Sequence, residues 1–394
     1  MDIGWSVCPH FGDCGGCDYQ DVPYPEQLER KGQSVVWAFE SGGFPAEVIE
    51  DPIAPGAPLR YRNKMEFTFD SCGRPGLHRK GQYRSIVPIE TCQLCSEDME
   101  RVLVRVAGWS AAWNLSGYDK RERTGLLRHL GLRSSVDGDL LVAIYTSREK
   151  LEPHEERAIA ALEDELHGLP VRSLLWVVNP ARADAAVSSE GETTILSGSD
   201  HIIDRLSGFE FRIGVDTFFQ VNPAGAETLI EVVRELAMES QGSGFFLDLF
   251  SGVGTFSLPL ARDFAPEPVV GIEIVPSSVA SARENAAGNG LNNAHFVESD
   301  ARRGMPEVID TWGTPGRILL DPPRSGAGGK VMRRIGRAET DRVIYVSCNP
   351  ESLIVDAGQL ADFRYRISRA IPVDMFPQTA HVECVALFTR HGVC

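Results

Sequence analysis

Long apolar segments are missing from this chain of 394 residues. Its longest uninterrupted apolar run, about Leu140 to Tyr145, is far shorter than the roughly 20 residues that cross a bilayer as a helix. The first residues, MDIGWSVCPHFG, have neither a basic nor an apolar segment and therefore do not predict a secretory signal. We expect a cytoplasmic protein, and the length suits two or three domains.

Positive charge is also scarce, since 39 Lys and Arg stand against 55 Asp and Glu, a formal net charge of −16. This balance alone argues against binding to nucleic acid. The segment from Arg60 to Arg133 is the exception, with 14 Lys and Arg against 8 Asp and Glu. In 60–69 and 77–84 basic residues alternate with aromatic ones, as in surfaces that bind single-stranded RNA. An RNA-binding face and a two-sided sheet with chance variation of charge both explain this segment.

Nine cysteines make an odd number, and without a secretory signal they do not predict a disulfide framework. Cys8, Cys14 and Cys17 lie within ten residues, a spacing that suits one metal centre. A fourth thiol would come from Cys92 or Cys95. Four thiolates bind either zinc or an iron–sulfur cluster, and the spacing leaves both open.

The second half of the chain alternates between predicted strands and helices, which indicates a doubly wound α/β sheet. A predicted strand at 245–250 leads into the glycine turn 251–254, and the next strand ends at Glu273, about 20 residues later. A glycine turn with an acid at that distance is typical of sites that bind the ribose of adenosine-containing ligands. Three later strands end at polar residues: Asp300, Asp321 and Cys348.

Cys348 lies between a predicted strand, 342–346, and a predicted helix that Asn349 caps and Pro350 begins. Open α/β sheets bind ligands at the carboxyl ends of their strands. The positive end of the following helix favours thiolate over thiol. Taken alone, the position suits a small packing residue as well as a nucleophile.

Together these motifs resemble those of the RNA uracil-5-methyltransferases, which make 5-methyluridine in ribosomal or transfer RNA. The matching motifs, in family order, are CPHFGDCGGC at 8–17, FFQVN at 218–222, DLFSGVGTF at 248–256, GIEIV at 271–275, DPPRSG at 321–326, YVSCNP at 345–350 and FPQTAHVE at 376–383. They cover most of the chain.

The resemblance implies a catalytic pair, a methyl-donor site and an iron–sulfur site. Cys348 would be the nucleophile and Glu383 the general base. The residues in contact with S-adenosylmethionine would be Gln220, Phe250, Thr255, Glu273, Asp300 and Asp321. The ligands of a [4Fe-4S] cluster would be Cys8, Cys14, Cys17 and Cys92. In the family a proline directly follows the fourth cysteine, but Gln93 follows Cys92 here. Cys95 therefore stays a rival for the fourth position.

The resemblance also implies two domains. Residues 1–207 would form an α+β, β-rich iron–sulfur and RNA-binding domain, and residues 208–394 a class I, Rossmann-like methyltransferase domain. The segment 20–51, with a helix at about Gln27 to Glu40, would pack back onto the catalytic domain. Because the cluster motif begins at residue 8, no N-terminal β-barrel module would fit.

The expected function is therefore methylation of carbon 5 of one uridine, through a covalent cysteine adduct. The shorter members that act on 23S ribosomal RNA suggest that substrate, before or during ribosome assembly, and a tRNA uridine is the alternative. We expect a monomer that binds RNA but neither DNA nor membranes. Two rival interpretations are methylation of a base amino group, which needs no thiol, and an iron–sulfur RNA-binding protein with an inactive methyltransferase fold.

Overall fold

The computed structural model describes residues 4, 7–180, 191–215, 217–239 and 244–390. Two seven-stranded sheets form its frame, and a two-stranded hairpin connects them along the chain. The helices of these residues are α1 (Tyr24–Ser41), α2 (Glu97–Ala112), α3 (Pro153–Ala160), α4 (Leu162–Glu165), α5 (Pro223–Met238), α6 (Ser257–Asp263), α7 (Pro276–Gly288), α8 (Ala301–Trp312), α9 (Gly329–Ala338) and α10 (Pro350–Ala361). In the part of the chain so described, no helix is both long enough and apolar enough to span a membrane.

The first sheet is formed by β1 (Lys64–Phe69), β2 (Pro75–Arg79), β3 (Gln82–Pro88), β4 (Leu127–Ser134), β5 (Leu140–Thr146), β6 (Val171–Val178) and β7 (Thr193–Ser197). Its order is β3-β2-β1-β4-β5-β6-β7, and all neighbours are antiparallel except β5 and β6. β5 is buried along its whole length, as its continuous apolar sequence predicts.

The second sheet is preceded by the hairpin of β8 (His201–Leu206) and β9 (Phe209–Gly214) and is formed by β10 (Phe246–Leu249), β11 (Val269–Glu273), β12 (Ala294–Glu298), β13 (Arg317–Leu320), β14 (Arg342–Ser347), β15 (Tyr365–Val373) and β16 (Glu383–Arg390). The order is β12-β11-β10-β13-β14-β16-β15. Six strands run in one direction, and β16, between β14 and β15, runs in the opposite direction. This arrangement confirms the predicted Rossmann-like α/β fold. The strand order reverses between β10 and β13, which places a ligand crevice at their carboxyl ends.

Helix α1 packs against the second sheet, although the chain runs from it into the first sheet. Its apolar residues Val35 and Phe39 share a core with Leu353 of α10 and Phe388 of β16. The predicted division after residue 207 falls inside the β8–β9 hairpin, which contacts elements on both sides. The domain boundary therefore stays a prediction.

Candidate active site and cysteine cavity

The glycine turn after β10 has an unusual backbone. Phe250 has a φ of 65°, and Gly252 and Gly254 have φ values of 54° and 89°. A Cβ atom at Gly254 would lie only 2.5 Å from the Leu258 side chain and would collide with it. The positive φ of Phe250 is a strain that glycine would avoid, and strained residues of this kind are concentrated at ligand sites. Thr255 lies half-buried in the same turn.

Glu273 ends β11 beside this turn, and three backbone N–H groups hold its carboxylate. Gly252 donates to Oε2 at 3.0 Å, and Ile274 and Val275 each donate to Oε1 at 2.8 Å. A carboxylate has about four lone-pair positions, so it keeps accepting capacity for a ligand hydroxyl. The acid predicted from the sequence to bind ribose is thus a firmly held carboxylate at the carboxyl end of β11.

Two further carboxyl groups lie close to the turn. Asp248 in β10 is only 1% exposed, and its Oδ2 accepts a hydrogen bond from Ser257. Burial raises its pKa to about 7, and the charges of Asp321 and Glu273 add to the effect. Desolvation likewise raises the pKa of Asp321, at the end of β13, to about 7. Asp248 was not predicted as a functional residue, although an acid within an otherwise apolar strand was a usable signal.

Cys348 and Glu383 lie where the carboxyl end of β14 adjoins the start of the antiparallel strand β16. Ser347 of β14 pairs with Cys384 of β16, so the next step of the register puts Cys348 opposite Glu383. Asn349 caps α10 by accepting a hydrogen bond from the backbone N–H of Glu351 at 3.2 Å. The predicted strand, cap and helix around Cys348 are therefore present.

The electrostatic surroundings of Cys348 favour the thiol. Burial and the negative charges of Glu383 and Asp321 raise its pKa to about 11, while Arg324 acts in the opposite direction. The helix end by itself favours the thiolate, but in the protein alone desolvation and two carboxyl groups outweigh it. The same effects show that Cys348, Glu383 and Asp321 share one site.

Glu383 is 5% exposed and begins β16. Burial raises its pKa well above the usual carboxyl value, and the charge of Asp321 raises it further. Its Oε2 is buried and has no hydrogen-bond partner among the described residues. Neighbouring Cys384 belongs to the apolar core instead, and burial raises its pKa to about 12. Glu383 thus keeps one oxygen without a partner among the described residues, and Cys348 is only partly buried, so both groups can act on a ligand bound beside them.

The remaining predicted methyl-donor residues lie on neighbouring loops. Gln220 is nearly buried in the loop before α5, where Asn222 accepts from the backbone N–H of Gly225 and donates to the carbonyl of Met375. Asp300 follows β12 and caps α8, accepting from the N–H of Arg302 at 3.1 Å.

Four cysteines line one cavity of about 750 Å³: Cys8, Cys14, Cys17 and Cys92. Cys95 is fully buried next to it, and its thiol donates to the carbonyl oxygen of Cys92 at 3.5 Å. The cavity brings together the four cysteines predicted as ligands and leaves the rival Cys95 as their neighbour.

The cavity thiols differ in their preference for the charged form. Burial raises the pKa values of Cys8, Cys14 and Cys17, the last to about 12. Hydrogen bonds from the Cys95 thiol and from backbone N–H groups lower that of Cys92. Among the described residues no group of three or more Cys, His, Asp or Glu is placed to hold a single metal ion.

Only part of the basic segment can face RNA. Arg128 and Arg133 are buried, the first against the ring of Tyr118 and the second donating to the carbonyl of Thr217. Arg62, which belongs to the basic and aromatic stretch 60–69, lines the cysteine cavity. Burial lowers its pKa, but the Tyr61 hydroxyl, and after it Cys92 and Cys17, raise the pKa overall. At the β2–β3 hairpin, however, Tyr83 is 69% exposed and the Arg84 guanidinium lies 5.6 Å from its ring.

Comparison with known proteins gives consistent matches. A family model described as tRNA (Uracil-5-)-methyltransferase matches residues 190–391. A protein of Caldanaerobacter subterraneus subsp. tengcongensis, named as an uncharacterized RNA methyltransferase, is 37% identical over 98% of this chain and 85% of its own length. A protein of the same description from Chlorobaculum tepidum is 33% identical over 98% of this chain and 83% of its own length. The crystal structure of Pyrococcus abyssi tRNA (uracil-54, C5)-methyltransferase with S-adenosyl-L-homocysteine is 26% identical, with a TM-score of 0.76 over 95% of this chain and 86% of that one.

Proposed function

Because the chain belongs to the RNA uracil-5-methyltransferase family and is an S-adenosylmethionine-dependent RNA methyltransferase, we propose that it methylates carbon 5 of one uridine in 23S ribosomal RNA through a covalent cysteine adduct. The observation that carries this chemistry is the position of Cys348 opposite Glu383, beside Asp321. A thiol and a carboxyl group at one strand edge are the nucleophile and the base that the reaction needs.

The reaction divides into two halves. Carbon 5 of uracil is too weak a nucleophile to attack a methyl sulfonium unaided. The Cys348 thiolate adds to carbon 6, and the electrons of the ring double bond move toward the carbonyl oxygen, which makes carbon 5 nucleophilic. S-adenosylmethionine supplies the methyl group when bound. Glu383 then takes the proton from carbon 5, the ring double bond re-forms, and the electrons of the carbon–sulfur bond return to Cys348.

The target uridine has to leave its base stack to reach this crevice. Glu273, whose carboxylate is already fixed by three backbone donors, would accept from the ribose hydroxyls of the methyl donor. The other residues that would surround the donor are Gln220, Phe250, Thr255, Asp300 and Asp321. The exposed ring and guanidinium of Tyr83 and Arg84 would bind the flanking RNA.

A [4Fe-4S] cluster is part of the proposal, held by the four cavity cysteines. Their placement around one cavity supports it, and iron would favour the thiolate forms that burial otherwise disfavours. The cluster would shape the RNA-binding domain, proposed to span residues 1–207, and residues 208–394 would form the catalytic domain. No step of methyl transfer requires the cluster.

The covalent step is tested with RNA that contains 5-fluorouridine. Fluorine cannot leave as a cation, so the adduct to Cys348 should persist after methyl transfer and appear in the mass spectrum of the protein. Cys348→Ala should abolish it, while Cys72→Ala, which changes an exposed cysteine, serves as the matched control and should form it normally. Full turnover by Cys348→Ala would refute the covalent mechanism and favour methylation that needs no thiol.

The RNA target is the second question, and tRNA is a real alternative. The solved Pyrococcus abyssi relative, which acts on uracil 54 of tRNA by its title, covers nearly the whole chain. Nucleoside mapping of 5-methyluridine in ribosomal and transfer RNA, from cells with and without the gene, separates the two. Loss of one 5-methyluridine from 23S ribosomal RNA supports the proposal, and loss from tRNA alone assigns the tRNA function.

A further inference from the structure

The loop that precedes Glu383 is held by the N-terminal part of the chain. This base loop, residues 374–382, connects β15 to β16. Its central residue, Gln378, is 0% exposed and has a φ of 70°, a backbone conformation that a glutamine adopts only when its surroundings impose it. The contacts that impose it come from far away in the sequence.

The backbone of Gln378 is bound on both sides. Its carbonyl oxygen accepts from the N–H groups of Asp18 at 2.7 Å and Tyr19 at 3.0 Å. Its N–H donates to Oε1 of Gln27 at 3.0 Å. These three bonds replace the strand ladder that the loop lacks, and all three partners precede or begin helix α1.

The side chains of Gln27 and Gln378 add further hydrogen bonds to these backbone contacts. Nε2 of Gln27, which is also 0% exposed, donates to Oε1 of Gln378 at 3.0 Å, and Nε2 of Gln378 donates to the carbonyl of Pro58 at 3.3 Å. Nε2 of Gln27 also donates to the carbonyls of Tyr19 and Val22. A buried amide pair of this kind is costly to break from one side, because the remaining partner is left unsatisfied.

Further contacts fix both ends of the base loop. Lys31 of α1 lies 2.5 Å from Asp374 and donates to the carbonyl of Phe376 at 3.0 Å. The hydroxyl of Tyr61 donates to the carbonyl of Pro377 at 3.0 Å. The N–H of Ala380 donates to Asp18 at 3.2 Å. The loop is therefore gripped along most of its length.

Two of the residues that hold the base loop directly follow the cysteine motif at 8–17. Asp18 and Tyr19 directly follow Cys17, and the next residue, Gln20, donates to the Cys17 sulfur at 3.4 Å and accepts from the N–H of Cys8 at 2.8 Å. The segment that lines the cysteine cavity therefore continues directly into residues that bind the loop preceding Glu383. Cys348 stands outside this connection, because it is positioned by β14 and α10.

We propose that Gln27 and Gln378 are positioning residues for the second half of the reaction, holding the base loop so that Glu383 reaches the proton on carbon 5 of the adduct. The inference rests on the proposed function and adds the element that separates its two halves. Addition of Cys348 to carbon 6 and methyl transfer do not use the base loop. Proton removal, with return of the carbon–sulfur electrons to Cys348, does.

The test compares the two halves in Gln27→Leu, which keeps the size of the side chain and removes the amide. Gln33→Leu on the same helix is the matched control, since the exposed Gln33 side chain bonds, among the described residues, to Glu29 of the same helix. With 5-fluorouridine RNA, which stops before proton removal, Gln27→Leu should form its adduct at a rate within twofold of wild type. With uridine RNA its turnover should fall at least tenfold, and the methylated covalent complex should accumulate.

Equal loss of adduct formation and turnover in Gln27→Leu would overturn the positioning role, as would wild-type turnover. Absence of adduct in the wild-type protein would instead refute the proposed function itself, so the two failures are distinguishable. Tyr61→Phe is a milder second variant that removes only a hydroxyl, which donates to the Pro377 carbonyl and accepts from Arg62. If Gln27→Leu does not fold, accumulation of adduct in Tyr61→Phe supports the inference, and an unchanged adduct level overturns it.

Discussion

The thiol of Cys348 should be unusually unreactive in the protein without ligands. Its pKa of about 11 leaves roughly one molecule in 10,000 as thiolate at pH 7, against about one in 30 for an ordinary cysteine of pKa 8.5. The thiolate is the reacting form, so this factor alone slows alkylation about 300-fold. A more basic thiolate is also the better nucleophile, by about tenfold over this difference. The net expectation is a rate about 30-fold below that of a free thiol.

The assay is alkylation with iodoacetamide at a series of pH values, with each cysteine followed by peptide mass spectrometry. Exposed Cys72 is an internal reference in the same molecule, and buried Cys384 should stay unmodified. Two charge changes test the cause. Glu383→Gln removes a charge that raises the pKa of Cys348, so its inflection should move to lower pH, while Arg324→Gln should move it higher.

Alkylation of Cys348 as fast as that of Cys72 at pH 7, with an inflection below pH 8.5, would refute this account of the site. So would equal shifts in the two variants, because the two charges act on the thiol with opposite sign. The expected result means that thiolate formation depends on binding of RNA and methyl donor.

Three further predictions concern the buried acid, the cavity and the RNA face. The pKa of Asp248 is about 7 in the folded protein and 3.8 as its unperturbed value, so the folded state loses stability as pH rises from the lower value to the higher. Asp248→Asn should therefore gain about 3 kcal/mol more in urea unfolding at pH 8 than at pH 5. Cys92→Ala should lose the roughly four irons per chain of a cluster and Cys95→Ala should keep them, by iron analysis. Arg84→Glu should make the negative slope of log affinity for RNA against log salt shallower by about 1. Arg337→Glu, which changes an exposed residue of α9, should leave this slope unchanged.

The parts of the site that the sequence predicts correctly rest on local signals. The strand before Cys348, the Asn349 cap and the helix start at Pro350 appear within one residue of their predicted positions. The glycine turn and Glu273 are likewise joined, by a hydrogen bond from the Gly252 N–H to the Glu273 carboxylate. Apolar runs, caps and glycine turns act over a few residues, so one chain suffices to recognise them.

The errors concern properties that depend on the whole fold. The pKa of Cys348 is raised first by burial and then by Glu383 and Asp321, which only the sheet brings to it. The basic segment likewise counts Arg128 and Arg133, which the fold buries. Charge counted along the chain does not tell which side chains meet solvent, and a helix end does not tell which carboxyl groups face it.

Asp321 supplies the last prediction, which concerns the methyl donor. Its pKa of about 7 means that its carboxyl is about 10% ionised at pH 6 and 90% at pH 8. Asp248, Glu383, Cys348 and Tyr345 all respond to its charge, and none of them carries a positive charge. A cationic sulfonium bound there would favour the ionised form, whereas neutral S-adenosylhomocysteine would not. Calorimetry should therefore show S-adenosylmethionine binding up to about tenfold tighter at pH 8 than at pH 6, with S-adenosylhomocysteine nearly unchanged. Parallel pH dependence of the two ligands would show that Asp321 does not distinguish them by charge, and Asp321→Asn should remove any difference that is seen.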